Sequence, residues 1–258
     1  MALSTPLMTA ELVLPSTSGP LSPRADTAAL ILPEASSMEE YATLVAGEML
    51  PAVAEARAAE FCDVFCDRGF FSQEATERIL TTAAGLGFGI RMHADQLTRS
   101  GGAELAARLG ATSADHLEQL DDAGVAALAR SGTVATLLPG PALVMRGGLP
   151  PARGLLDAGV TVALASDANA GTFGAWGAMP LVIGLGAATL EMTVEEALAA
   201  ATTGGAAALG LTGTKGGLAV GADADLVAWD AEHEGAFALH LGQVQPDQVF
   251  IGGKRSST

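Results

Sequence analysis

The sequence is poor in the residues that usually carry chemistry or bind nucleic acid. Only 13 lysines and arginines stand against 29 acids, for a net charge of −16. That field repels a phosphate backbone and an anionic membrane surface, so neither nucleic acid nor membrane is an expected partner. The acids are spread along the chain as a solvated surface. Cysteine is almost absent: Cys62 and Cys66 lie in "FCDVFC". Their C-x3-C spacing is not that of a zinc pair. On a strand, i and i+4 share a face, so both read as buried, reduced core residues, which suits a cytoplasmic protein. The first residues carry no basic stretch and include Glu11, so they make a poor secretory signal. No Gly-x-Gly-x-x-Gly follows the first strand, which lowers a dinucleotide-binding reading. The uncharged stretch over 168–190 holds five glycines and Pro180, and reads as a buried helix rather than a membrane span. Aromatics make up 4% of the chain. Small residues instead let helices approach strands closely, as α/β folds require.

What is present is an alternation. Residues 61–66, 88–93, a short stretch before 113–120, 133–140 and 160–167 read as apolar strands. Helices are expected over 72–87 (Ser72 as N-cap, Gly87 as stop), 101–110, 121–132 and 150–159. Pro139 is expected to end its strand. Strands apolar throughout and separated by helices imply a parallel sheet covered on both faces. Five consecutive βα units favour a (β/α)8 barrel over a doubly wound sheet. Residues 26–32 could add a strand, followed by a helix over 38–57 that Pro51 breaks or kinks. Later helices cover 176–190 and 193–211, the latter capped by Thr193. Residues 216–230 read as turn, strand, turn, strand, and 248–255 as a closing hairpin strand. The Ser/Pro-rich residues 15–25 read as loosely ordered.

The scarce histidines fall in telling places. His93 and His116 each end a strand, and Asp167 ends another. His233 and His240 lie in polar context and read as surface residues. One histidine at a strand end can equally cap backbone groups. Three reactive side chains at three strand ends match the face of a barrel where loops build active sites. Imidazole and carboxylate together suit a divalent metal. In "SDANAGT" (166–172), small residues let a ligand approach the backbone, and Asn and Thr offer directional hydrogen bonds; an ordinary capped turn is the competing reading.

"MHADQL", "GGAELAARLGATSADHLEQLDDAGVAALARSGTVATLLPG" and "VALASDANAGT", with "CDVFCDRGFFS" and "GGLAVGADADLVAWD", resemble the imidazolonepropionase family of the amidohydrolase superfamily, from about residue 40 to the C-terminus. The resemblance implies a metal-dependent hydrolase in histidine degradation. It would open the ring amide of 4-imidazolone-5-propanoate to N-formimidoyl-L-glutamate, with one zinc or iron activating a water. It implies His93 and Asp167 as metal ligands and His116 as the group that polarises the carbonyl. Asp167 would also accept the water's proton. Gln96, Asn169, Gly171 and Thr172 would contact substrate, and Gln96 has no basic group with which to replace a glutamate as general base.

The family's His-x-His pair is not in this sequence. The early barrel strands and the first half of the accompanying sandwich are missing too, so the expectation is an N-terminally truncated chain. Residues 1–25 would be a poorly ordered segment, 26–212 a partial barrel, and 213–258 a β-sandwich segment, with a homodimer as the assembly considered. Two alternatives stand beside the first reading: a catalytically inactive remnant, or another amidohydrolase deaminase. Gln96, where such deaminases tend to carry a glutamate, argues against the latter.

Overall fold

The alternating strand "FCDVFC" sets the pattern for the first half of the protein. In a computed structural model, which describes residues 12–13, 37–169 and 178–256, it forms strand β2 (Phe61–Cys66) after a short β1 (Leu12–Val13). The chain divides into two units, one of Met1–Asp115 with Asp121–Thr133, the other of His116–Leu120 with Val134–Thr258.

The first unit begins its helical course with α1 (Met38–Leu44), capped by the Ser37 hydroxyl, which accepts from the Glu40 amide. A π-helical turn (Val45–Met49) leads into α2 (Leu50–Ala56). Pro51 therefore does not break the helix. It sits in the first turn of α2, where its missing N–H is tolerated, and the wider π turn precedes it. Strand β2 pairs in antiparallel register with β1 and in parallel with β3 (Gly89–Ala94). Helix α3 (Gln73–Gly85) connects β2 and β3; Ser72 caps it by accepting from the Ala75 amide. Helix α4 (Gly102–Leu109) ends at the left-handed Gly110, and the next strand is β4 (Ser113–His116). The Thr112 amide donates to the Ile90 carbonyl at 2.8 Å, next to β3 in sheet order. Helix α5 (Asp122–Ser131) is capped by Asp121. The core of this unit is the apolar side of β2 and β3 under α3 and α4, with Val64, Met92, Ile79, Leu80 and Leu105 at most 1% exposed. Each such side chain contributes about 1.5–3 kcal/mol through burial.

In the second unit, β5 (Val134–Leu137) pairs in parallel with β6 (Val162–Leu164). Residues 138–140 are not a continuation of β5, as the sequence suggested. Pro139 opens α6 (Pro139–Met145), because a fixed φ and a missing donor suit a helix's first turn. Helix α7 (Ala152–Asp157) precedes β6, and α8 (Met179–Thr189) follows it beyond the undescribed residues. Helix α9 (Val194–Ala199) starts with a capping box between Thr193 and Glu196, and a π turn (Ala200–Gly204) carries it into α10 (Gly205–Ala208). Here small residues matter. A Cβ at Gly204 would overlap the Val162 carbonyl oxygen and stand 3.2 Å from Ala163 Cα, so only glycine lets this helix lie against β6. Val134, Ala163 and Ala208 close the core at that point. The chain ends in an antiparallel sheet of β7 (Leu226–Trp229), β8 (Pro246–Ile251) and β9 (Lys254–Arg255), with α11 (Ala236–Leu239) between β7 and β8. Residues 216–225 contain no strand, so of the two strands expected over 216–230 only the second, β7, is formed. The possible strand at 26–32 lies outside the described residues. Among the described residues no helix is long and apolar enough to cross a membrane.

The whole is an α/β protein whose five strands β2–β6 alternate with helices and pair in parallel where β2 meets β3 and β5 meets β6.

Candidate functional site

In the first unit, strand alternation separates two chemistries. Cys62, Val64 and Cys66 share one face with Ile90, Met92 and Ala94, and all are buried. Both cysteines are free. Burial, with a smaller effect from the Asp63 charge, pushes the Cys62 thiol up to about 12; burial likewise raises Cys66. These are core thiols rather than thiolate ligands.

The opposite face carries Phe61, Asp63 and Phe65 from β2 and Gly89, Arg91 and His93 from β3, with Asp63 level with Arg91 and Phe65 level with His93. The Arg91 guanidinium lies 3.8 Å over the Phe61 ring. Gly89 leaves room for that ring, since a Cβ there would come within 2.5 Å of it. His93 Nδ1 is 2.8 Å from Asp63 Oδ2. Burial works against the Asp63 charge, but the nearby His93 ring, electrostatically and by hydrogen bond, then Arg91 and the Val64 amide, outweigh it and hold the carboxyl below its usual range. Asp63, His93 and Asp115 each offer a ligand atom, all within 4.8 Å of one another.

The loop after β3 is built by two acids. Asp95, fully buried, takes a left-handed φ of 49°. Its carboxylate accepts from the amides of Ser100, Gly101 and Ala103 at 2.6, 2.9 and 2.9 Å. It thereby occupies the positive end of α4. Asp67, just after β2, accepts from the amides of Gln96, Leu97 and Thr98 and from the Thr98 hydroxyl. The backbone of Gln96 is thus held by a carboxylate from the neighbouring strand's loop.

In the second unit, His116 is buried and its backbone turns left-handed, as does that of Leu117 (φ 77° and 69°). A regular strand would send the His116 side chain to the face of Ala114; the change of φ removes that constraint. His116 Nδ1 faces Glu118 Oε1 at 3.4 Å, and Glu118 is also buried. Asp167 lies three residues beyond β6 rather than at its last position, again left-handed (φ 50°). The Asn169 side-chain amide donates to its carbonyl at 2.8 Å. His116 and Asp167 each offer a ligand atom, and these lie within 4.8 Å of one another. Of seven non-glycine residues with positive φ among those described, four (Asp95, His116, Leu117, Asp167) lie at the end of a strand or within three residues after it. Such conformations cost about 1–3 kcal/mol each and persist where surrounding contacts over-determine them. The strain therefore collects at the strand ends that carry the candidate groups.

His93, Gln96, His116, Asp167 and Asn169 are thus all placed at or just after strand ends. Gly171 and Thr172 lie outside the described residues. His233 and His240 are exposed, as expected. Sequence reading passed over Asp63, Asp67, Asp95 and Glu118. Asp63 had a signal: an acid inside an apolar strand, on the face opposite the cysteines.

In each unit, imidazole and carboxylate stand at or just after the ends of strands that alternate with helices. The chain belongs to the amidohydrolase family, whose profile matches residues 67–255. Within that family it is similar to imidazolonepropionases. That of Porphyromonas gingivalis is 44% identical over 216 residues, covering 83% of this chain and 51% of that protein. That of Bdellovibrio bacteriovorus is 44% identical over 223 residues, 86% of this chain and 52% of that protein. The chain spans about half the length of the curated relatives it matches. Among solved structures, a zinc-bound adenosine deaminase from Xanthomonas campestris superposes with a TM-score of 0.64 at 24% identity, over 86% of this chain and 57% of that one. A 5-methylcytosine deaminase from Klebsiella pneumoniae gives 0.65 at 19% identity, over 81% and 58%. At such identities the likeness speaks for the fold.

Proposed function

We propose that this chain carries the C-terminal half of an imidazolonepropionase, cytoplasmic, with its five βα units forming part of a (β/α)8 barrel and β7–β9 part of a small β-sandwich. The observation that carries the reading is the 44% identity to imidazolonepropionases over 83% of the chain. The substrate would be 4-imidazolone-5-propanoate, and the product N-formimidoyl-L-glutamate.

His93 and Asp167 would supply two of the ligands of one divalent metal, zinc or iron, an imidazole nitrogen and a carboxylate oxygen being donors such an ion takes. When bound, such a metal lowers the pKa of water toward neutrality. Asp167 then accepts a proton from the attacking water. His116 donates toward the ring carbonyl, where negative charge develops; one such donor is typically worth about 3–4 kcal/mol. Gln96 orients substrate through its amide. Asn169, Gly171 and Thr172 are assigned to substrate contact by their match to the family's motif.

The test is to purify the chain, measure zinc and iron, and follow the loss of imidazolonepropanoate absorbance. Turnover with stoichiometric metal that falls at least about 10²-fold in His116→Ala supports the assignments. Turnover that survives this change overturns them. Absence of both metal and turnover counts against the assignments as well.

A further inference from the structure

His93 does not stand alone on its strand. Asp63 reaches it diagonally across the β2–β3 pair, from the same sheet face, with Oδ2 2.8 Å from Nδ1. Both groups are largely withdrawn from water, the side chains being 5% and 18% exposed. The Phe65 ring, level with His93, stands 5.7 Å from the imidazole centre and tilts 45° to it, walling one side. The other Asp63 oxygen, Oδ1, is buried without a hydrogen-bond partner among the described residues. Beside the Val64 amide, the hydrogen-bond partner of the Asp63 carboxyl is the His93 ring. An ionised carboxylate only accepts, so the proton of that bond belongs to Nδ1. A neutral imidazole with its proton on Nδ1 has its lone pair on Nε2.

We propose that Asp63 is a positioning residue that locks His93 into the Nδ1–H tautomer and so presents Nε2 as the ligand atom. The proposal rests on the reading of His93 as a metal ligand, but its core is a statement about where one proton sits. A carboxylate that orients a ligating imidazole also raises its basicity, and its loss typically weakens metal binding by about 10–100-fold.

The tautomer is observable without metal or turnover. With four histidines in the chain, a long-range proton–nitrogen NMR spectrum of the ¹⁵N-labelled full-length protein at neutral pH separates the rings, and His93→Gln assigns the one in question. The expected result is a single tautomer with protonated Nδ1 and unprotonated Nε2. Asp63→Leu removes the acceptor at similar volume and should give a tautomer mixture. Asp63→Asn keeps an acceptor oxygen and should restore the Nδ1–H form. Zinc affinity, measured by chelator competition, should fall about 10–100-fold in Asp63→Leu and less in Asp63→Asn. A wild-type His93 protonated on Nε2, or exchanging freely between tautomers, overturns the proposal, and this arm stands even if Asp63→Leu does not fold. Zinc that binds wild type and Asp63→Leu measurably and with equal affinity overturns it as well. Wild-type protein that shows the Nδ1–H form but binds no zinc leaves the role of Asp63 intact and refutes the metal-dependent reading instead.

Discussion

Glu118 stands two residues after His116, and the two side chains meet inside the protein, Oε1 to Nδ1 at 3.4 Å. The contact depends on the left-handed turn at His116 and Leu117, because in an extended strand residues two apart project in the same direction at a distance of about 6–7 Å. The other Glu118 oxygen is buried without a hydrogen-bond partner among the described residues. A carboxylate kept in that setting favours the imidazole's orientation more than the stability of the fold. Glu118→Gln should therefore keep its unfolding free energy within about 1 kcal/mol of wild type, while the nitrogen spectrum of the His116 ring changes. Urea denaturation and ring NMR together check this. A loss of about 3 kcal/mol or more would make Glu118 a structural strut instead.

Asp67 acts on a loop rather than on a ring. Its carboxylate gathers three consecutive amides, those of Gln96, Leu97 and Thr98. Hydrogen bonds to a charged acceptor are worth about 1.5–3 kcal/mol each before shared losses. Asp67→Ala should cost about 2–4 kcal/mol and speed hydrogen exchange at residues 96–98 far more than at β3. Uniform acceleration along the chain would contradict a local role.

Gly204 and its neighbour Gly205 should behave in opposite ways. A Cβ at Gly204 would overlap the Val162 carbonyl, whereas one at Gly205 meets only Ala200 O at 3.9 Å. Gly204→Ala should destabilise by about 2–3 kcal/mol or more. Gly205→Ala should be neutral or stabilise by up to about 1 kcal/mol, since alanine favours the helix. Denaturant midpoints of the two variants decide it.

Acid should reach the Arg99–Asp121 pair at low pH. The Arg99 guanidinium, with the Gly124 amide, holds the Asp121 carboxyl at about 2, below its ordinary value near 3.9. A depressed folded-state value means stability that is present above pH ~4 and lost as pH falls toward ~2. The thermal midpoint of Asp121→Asn should lie below that of wild type at pH 7, and the gap should close between those two values. A gap that persists at pH 2 would show that the charge is not its source.

The amino-acid sequence determined the local elements by itself. Alternation of apolar strands with capped helices, small residues where helix meets strand, and imidazoles at strand ends all follow from patterns of a few residues. Ser72 and Thr193 cap the helices they were expected to cap, and Asp121, expected as the first residue of its helix, caps it instead. Pro139 stands past the end of its strand, as expected, and also opens a helix, because a proline does both by the same two properties and only the following residues' packing chooses. The supporting acids depended on tertiary structure. Asp63 reaches His93 across a strand register, and Asp67 reaches Gln96 over 29 residues of sequence. Glu118 reaches His116 only because two backbone angles turn positive. Register and strained angles are properties of the assembled sheet, fixed by the sum of many contacts. The sequence therefore named the candidate groups, while the fold decided which carboxylate holds each ring.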